Sequence, residues 1–425
     1  MIAVIIISFF ICLFIGFPIA IAMGVAGAIG IVTDPSLSAV IVSQKLHTGF
    51  DSFALMAMPF FMLAGQIMEH TGITERLVDL AKRLVGWMRG GLAYTTIVSG
   101  VLMAGISGSA NADAAAIGAL TLGPMRRDGW SEGQSVAVVA SAGGLGPIIP
   151  PSIPMIIFCN LTSISVGKMF VAGYIPGILL ALGYMAIAGY YAKKHNLSKT
   201  KFEGFGILWK TFKGAIWALL MPIIILGGIL SGICTATEAG ILAVLYGTVY
   251  GFATNRLKFK QLSECLYNAV LNSGGPMLII GMATILGYEL TRYNFGTLVG
   301  DFVLAYAASP VAFLMIVIVM LIIAGMFIDG TATMMMLLPI LVPISKALGI
   351  DQIQFAMVFF LALQTGGLTP PVGALLFIVS SVGKTPLGNC VKPIIPFVGV
   401  MAIAAMLIIF IPEIATFLPN LLGYA

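Results

Sequence analysis

The sequence predicts an all-α polytopic membrane protein, folded as an inverted repeat around two re-entrant helical hairpins. Three observations predict it. Of 425 residues, 60% are hydrophobic and 9% are charged, against about 25% charged in a soluble chain. The apolar runs recur along the whole length, enough at roughly 20 residues per crossing for about ten or more membrane segments. Several of these runs are broken by Gly and Pro, and sequence motifs recur about half a chain apart.

The same arithmetic excludes other classes. The net charge of +5 is spread over short loops, so no basic face is available for nucleic acid. No polar stretch is long enough for a separate soluble domain, and any soluble partner must be another chain. The opening Met1-Ile2-Ala3-Val4-Ile5 lacks a basic n-region and a small-residue cleavage site, and reads as a retained first helix. Cys12, Cys159, Cys234, Cys265 and Cys390 form no CxxC pair and read as buried thiols. His47, His70 and His195 are scattered. GxxxxGK[ST] and HExxH are absent, which removes a standard P-loop ATPase and a zincin. An intramembrane aspartyl protease could use Asp113 and Asp329, but both lie at backbone breaks beside hydroxyl side chains, a setting that suits ion sites better.

Along the chain, residues 1–51 supply N-terminal scaffold helices. Residues 52–191 form a first repeat with a hairpin at about 91–124, and 192–265 connect through further scaffold helices. Residues 266–425 form a second repeat with a hairpin at about 310–344. Between the apolar runs, Ile73 to Trp87 sets Arg76, Lys82 and Arg83 among Leu77, Leu80 and Leu84, the pattern of a helix lying in the interface. Lys193, Lys194, Lys199, Lys201, Lys210 and Lys213 crowd one loop with Glu203 as its only acid. The positive-inside rule makes that loop cytoplasmic. Arg256, Lys258 and Lys260 mark a second such loop, so 214–254 is expected to cross and return.

The halves are read as duplicated from three matches. Gly183–Ala188 matches Gly399–Ala404, and Ser165–Lys168 matches Ser381–Lys384, both 216 residues apart; Gly146–Pro151 resembles Gly366–Pro371 at 220. Each arm of the first hairpin has about 15 residues, or about 22 Å as helix, short of a roughly 30 Å hydrocarbon core. Arg89 precedes this hairpin and Arg126-Arg127 follow it, so it enters and leaves on the cytoplasmic side. The second hairpin, preceded by Ala307-Ala308-Ser309 and followed by Lys346 and Asp351, lacks a basic cluster and is expected to dip from the opposite face.

Four breaks carry the chemistry: Ser107-Gly108-Ser109, Gly143 to Pro151, Asp329-Gly330-Thr331 and Thr365 to Pro371. Broken backbone inside a bilayer persists where it is buried in protein or lines a wet cavity. Gly permits unwinding and Pro removes amide donors, which frees carbonyl oxygens. Beside them stand the hydroxyls of Ser107, Ser109, Thr331 and Thr369. Oxygen ligands suit a small hard cation such as Na⁺, and helix N-termini at the same breaks suit an anion. Asp113 and Asp329 are ionisable at membrane depth and hence functional candidates, with helix capping as the alternative role, stronger for Asp113 than for Asp329. Glu238 reads as a capping-box acid, and Lys168 and Lys384 as snorkelling side chains. Glu289 and Arg292 read as a helix-face ion pair, and the 24 methionines as adaptable packing.

At these residues the chain resembles the large membrane subunit of tripartite ATP-independent periplasmic (TRAP) transporters. The matching stretches are Gly105 to Gly118 (GISGSANADAAAIG), Gly146 to Met155 (GPIIPPSIPM), Thr235 to Ala239 (TATEA) and Gly366 to Gly373 (GGLTPPVG), and the resemblance covers essentially the whole chain. It implies a Na⁺-coupled elevator-type importer of the bacterial inner membrane, with the small four-helix subunit as a separate chain and a soluble periplasmic binding protein delivering the substrate. The substrate would be an organic acid such as sialic acid or a C4-dicarboxylate. Carried over by motif, one Na⁺ site would use Ser107, Ser109, Gly146, Ile149 and Pro151. Its repeat-related partner would use Asp329, Thr331, Gly366, Thr369 and Pro371. Asn111, Ser152 and Thr333 are the substrate contacts expected from their places beside the breaks. Two competing readings remain: a stand-alone ion-coupled elevator carrier for organic anions, and a channel, which would need a continuous polar pore.

Overall fold

The computed structural model describes residues 1–53, 55–295 and 309–424, and among these every regular element is a helix. The Ala307-Ala308 pair lies outside the described residues. The first apolar run divides at Gly16–Pro18 into α1 (Ile2–Ile15) and α2 (Ile19–Thr33). There Gly16 takes a left-handed φ of 95° and Pro18 caps the next helix. Then come α3 (Val40–Phe50), α4 (Ala57–His70) and the amphipathic α5 (Ile73–Val85), which buries Ile73, Leu77 and Leu80. The first hairpin is α6 (Gly91–Ser107) and α7 (Ala110–Arg127), followed by α8 (Glu132–Gly143), α9 (Ile153–Thr162) and α10 (Val166–Lys194). Three long helices connect the halves: α11 (Phe205–Leu230), α12 (Ala236–Ala253) and α13 (Phe259–Arg292). The second hairpin is α14 (Pro310–Phe327) and α15 (Gly330–Ala347), followed by α16 (Gln352–Leu368), α17 (Ala374–Val382), α18 (Leu387–Phe410) and α19 (Glu413–Leu421). Seven of the described helices, α10 to α15 and α18, are long and apolar enough to cross a membrane.

Helix boundaries repeat at one displacement. The hairpin arms end at 107 and 327, and at 127 and 347; the next helices start at 132 and 352. Each pair is 220 residues apart. The Gly146/Gly366 match shares this displacement, but the two matches at 216 do not. Ser165 caps the start of α10, whereas Ser381 to Lys384 end α17, with Lys384 in a left-handed conformation. In a chain drawn from so few residue types, short apolar identities arise off register. The duplicated lysines therefore occupy unrelated places.

Two faces are distinguished by polar contacts. At one, the Gly90 amide donates to the Ser198 carbonyl at 3.1 Å and Thr200 Oγ1 to the Gly86 carbonyl at 3.0 Å. Arg83 pairs with Glu203, and Arg256 Nη1 donates to the Thr71 carbonyl at 3.1 Å. This face gathers both basic loops, the end of α4 and the open end of the first hairpin, and positive-inside charge makes it cytoplasmic. Arg126 Nη2 reaches from α7 to the Gly383 carbonyl and Thr385 Oγ1, both at 2.6 Å, so α18 starts on the same face. At the far end of α18, the Ile408 and Ile409 carbonyls accept from Gln354 Nε2 at 3.0 and 3.1 Å. Gln354 begins α16, so the second hairpin opens on the opposite face.

On that opposite face, Arg292 pairs with Asp34 at 2.8 Å and not with Glu289, against expectation. Glu289 turns inward against Gly30, fully buried, and neither carboxylate oxygen finds a partner. The three-residue spacing allows the pair, but the close approach of α2 offers Arg292 a better acceptor.

The main apolar cluster joins the hairpins to α4, α5, α8, α10, α11, α12, α16 and α18, and takes in Ile280 of α13. A separate cluster holds α1, α2 and α13 together through Phe9, Met23 and Ala283. Four cysteines are buried and Cys234 is half-buried, all as free thiols.

Candidate ion and substrate sites at the hairpin tips

The first tip is built by the Ser107-Gly108-Ser109 break. Gly108 takes φ 59°, and a β-carbon there would stand 2.7 Å from the Pro151 carbonyl oxygen. Only glycine lets the tip seat on the unwound segment between α8 and α9. The Ile153 amide then donates to the Gly108 carbonyl at 3.4 Å. Ser109 caps α7, its hydroxyl oxygen accepting from the Ala112 amide at 3.5 Å.

Asp113 is not a cap. One turn past Ser109, it is fully buried, and its Oδ1 accepts from Ser107 Oγ at 2.6 Å. Its Oδ2 has no partner. A β-carbon on Gly146 would lie 2.9 Å from that Oδ2 and 3.2 Å from the Ala110 amide nitrogen. The structure thus brings Ser107, Ser109, Gly146 and Pro151 together around the tip, with Asp113 among them. Ile149 is nearby, its buried side chain packed on Gly177. Two hydroxyls, a carboxylate with a free oxygen and a glycine cradle form a donor set that fits a small hard cation.

The second tip differs. Asp329 is the N-cap of α15, its Oδ1 accepting from the Thr331 amide at 2.9 Å. The capping role considered more for Asp113 thus belongs to Asp329. The break after α16 is also shorter than the sequence suggests, because the helix continues through Gly366 and Gly367 to Leu368. Gly366 serves close approach, with a β-carbon position 2.8 Å from Gly325 Cα and 2.6 Å from the Ile322 carbonyl oxygen. Thr369 Oγ1 donates back to the Thr365 carbonyl at 2.6 Å, and Pro371 is exposed. Asp329, Gly330, Thr331 and Gly367 share a cavity wall that does not include Gly366, Thr369 or Pro371.

That cavity, about 130 Å³, lies between the two tips. Its wall takes Ser109, Ala110 and Asn111 from the start of α7, and Ile153 and Pro154 from the start of α9. Asp329 to Thr331 come from the start of α15, and Ala374 and Leu375 from the start of α17. Four helix N-termini from both halves therefore border one space, and each sets the positive end of its dipole beside it. Asp329 is the one charged side chain among the described lining residues.

Residues 6–414 match the family described as "Tripartite ATP-independent periplasmic transporter, DctM component". The chain belongs to this family. It is 34% identical over 432 residues to the C4-dicarboxylate TRAP transporter large permease protein DctM of Vibrio cholerae, covering 96% of this chain and 95% of that one. It is 37% identical over 381 residues to the sialic acid TRAP transporter permease protein SiaT of Haemophilus influenzae, covering 89% of this chain and 62% of SiaT. In fold it is similar to the YdaH transporter of Alcanivorax borkumensis, with a TM-score of 0.65 at 13% identity and 89% of each chain covered. Family and helices together make the chain a multi-pass inner-membrane transport permease, not an enzyme.

Of the three expected substrate contacts in this TRAP permease, the structure sets only Asn111 on the shared cavity. Ser152 Oγ donates to the Pro147 carbonyl at 2.8 Å while capping α9. Thr333 Oγ1 is buried and unpartnered behind the wall. Sequence reasoning missed Gln364 and Met62 on the shared cavity: Met62 lies far from every break, and Gln364 stands on the helical side of the Thr365 to Pro371 break. The bond of Asp113 to Ser107 had a usable signal: an acid one helical turn after a Ser-Gly-Ser break faces back toward it.

Proposed function

We propose that the permease imports an organic acid of the sialic acid or C4-dicarboxylate class together with Na⁺, by an elevator movement. A small four-helix membrane subunit would extend its scaffold and a soluble periplasmic binding protein would deliver the substrate. The observation that carries this reading is the convergence of four helix N-termini on one cavity between the tips. Four dipole ends favour a carboxylate there although Asp329, the cap of α15, also lines the wall, and the anion can leave again because no lysine or arginine holds it. Relatives named for sialic acid and for C4-dicarboxylates support an acidic substrate.

Coupling follows from position. The acceptor-rich tip at Ser107, Ser109, Gly146, Ile149 and Pro151 adjoins the cavity, and Asp329 with Thr331, Gly366, Thr369 and Pro371 would supply a second site from the other repeat. A cation at the first tip would neutralise Asp113 and hold α7 in place against the α8–α9 break, completing the wall that meets the anion. Each Na⁺ gains about 2.3 kcal/mol per 100 mV of membrane potential, so no ATP is required.

The test is uptake into proteoliposomes holding the permease and its small subunit, with binding protein outside and an inward Na⁺ gradient, comparing sialic acid with succinate. Uptake of one acid that needs both Na⁺ and binding protein is expected. Uptake indifferent to Na⁺ removes the coupling, and uptake indifferent to the binding protein makes the chain a stand-alone carrier.

A further inference from the structure

A second cavity, about 350 Å³, lies on the other side of the first hairpin tip, between it and α4, α5 and α13. Its polar lining comprises Gln66, Glu69 and Thr74 near the end of α4 and start of α5, Asn272 of α13, and Ser107, Ser109, Asn111 and Asp113 of the tip. The shallow end is exposed at Glu69 and adjoins Thr71, whose carbonyl accepts from Arg256 at the cytoplasmic face. The deep end is Asp113, fully buried, with an Oδ2 that meets no donor. Among the described lining residues there are two carboxylates and no Lys, Arg or His. Arg256, whose Nη1 donates to the Thr71 carbonyl, stands beside Gly72 at the mouth and keeps its charge, so the selectivity argued here belongs to the crevice inside it.

We propose that this crevice is a cation-selective path between the first hairpin tip and the cytoplasm, with Glu69 as the outer and Asp113 as the inner anionic station. The inference rests on the reading that a cation is bound at the tip, and it adds a route that the anionic substrate does not share. Within a largely apolar wall, two carboxylates, three carboxamides and three hydroxyls offer oxygen to a partly dehydrated cation. An anion in the same space would meet two like charges in a narrow low-dielectric cleft, where field lines concentrate. The substrate cavity has a single carboxylate, Asp329, set among four helix N-termini. Ser109 and Asn111 stand in both walls, so the tip is the partition between a cation side and an anion side.

The test uses Gln66→Cys in a Cys234→Ser background, the permease being co-expressed with its small subunit and labelled in inside-out vesicles. Two methanethiosulfonates of similar size are compared, one a quaternary ammonium and the other a sulfonate. The cationic reagent is expected to react about tenfold or more faster than the anionic one, relative to their rates with a free thiol. That preference should shrink several-fold when Glu69→Gln is added and return with Glu69→Asp. Equal rates, or a preference untouched by Glu69→Gln, would overturn the proposal. In proteoliposomes, Glu69→Lys should slow net Na⁺-driven uptake and weaken inhibition by internal Na⁺, leaving the external Na⁺ half-saturation unchanged. A shift of the external value alone sinks the route. If uptake needs no Na⁺ at all, the functional reading fails while the labelling still decides the selectivity of the crevice.

Discussion

At the scale of the residue, the bond from Ser107 Oγ to Asp113 is the contact on which the first site turns. Ser107→Ala leaves a fully buried carboxylate without a side-chain donor, which costs about 1–3 kcal/mol for the orphaned group. A lower midpoint of thermal unfolding in detergent is expected, with a raised half-saturating Na⁺ concentration in uptake. Gly108→Ala should be worse for folding. Its left-handed φ alone costs an L-residue about 1–2 kcal/mol, and the new methyl would press on the Pro151 carbonyl. Gly206→Ala is the control, with open space around it and helix geometry, and should match or slightly exceed the parent in stability. Equal loss at both positions in a thermal-shift assay would remove the special status of the tip. That Ser, Gly and Ser belong to a tip is legible in sequence, because few other residues tolerate such a turn. That Asp113 completes it was open, because capping and coordination ask for the same side chain near a helix start.

At the scale of the element, the hairpins were readable to within a few residues. Gly and Pro end apolar helices for reasons local to the backbone, so 310–344 appears in the fold as Pro310–Phe327 and Gly330–Ala347. Gly366 shows the limit of that logic. A glycine that permits unwinding and a glycine that permits close packing are identical in sequence, and only the approach of Gly325 separates them. The clamp between α2 and α13 was likewise invisible, since Asp34 and Arg292 lie far apart in the chain. The Asp34 carboxyl is held below its ordinary value chiefly by the Ser36 hydroxyl and amide, then by the Tyr293 hydroxyl and the Arg292 guanidinium. A depressed carboxylate contributes stability that is complete above its unfolded value of 3.8 and is lost as pH falls below it. Asp34→Asn should therefore lower the unfolding midpoint at neutral pH by a small amount, and the difference from the parent should vanish in strong acid. A difference that persists unchanged to the acid limit would show that charge is not what the clamp uses.

At the scale of the whole molecule, membrane class, all-helical architecture and family were readable because composition and Gly-Pro motifs are properties of the chain itself. The displacement of the repeat was misplaced by four residues in two of three matches, since identities among Gly, Ala, Ile and Met carry little information. Helix boundaries, fixed by packing, restore it. What no sequence reading supplied was the pair of cavities on either side of one tip, for they exist only where helices distant in sequence border α7, α13 at one and α15 and α17 at the other. Their polar linings differ: one carries Glu69 and Asp113, the other Asp329 and the N-terminal ends of four helices.

If Na⁺ and the acid take the two places proposed for them, the shared partition binds both occupants in a single thermodynamic cycle. Any free energy by which Na⁺ on one side stiffens Ser109 and Asn111 for the acid on the other must be returned in full when the acid is bound first. The factor by which saturating Na⁺ tightens the acid should therefore equal the factor by which saturating acid tightens Na⁺. Calorimetric titrations run in both orders on the purified permease with its small subunit would read the two numbers separately. Factors that agree and exceed unity make the hairpin tip a coupling device with a measured strength. Two factors of one mean that the occupants share a wall and nothing more.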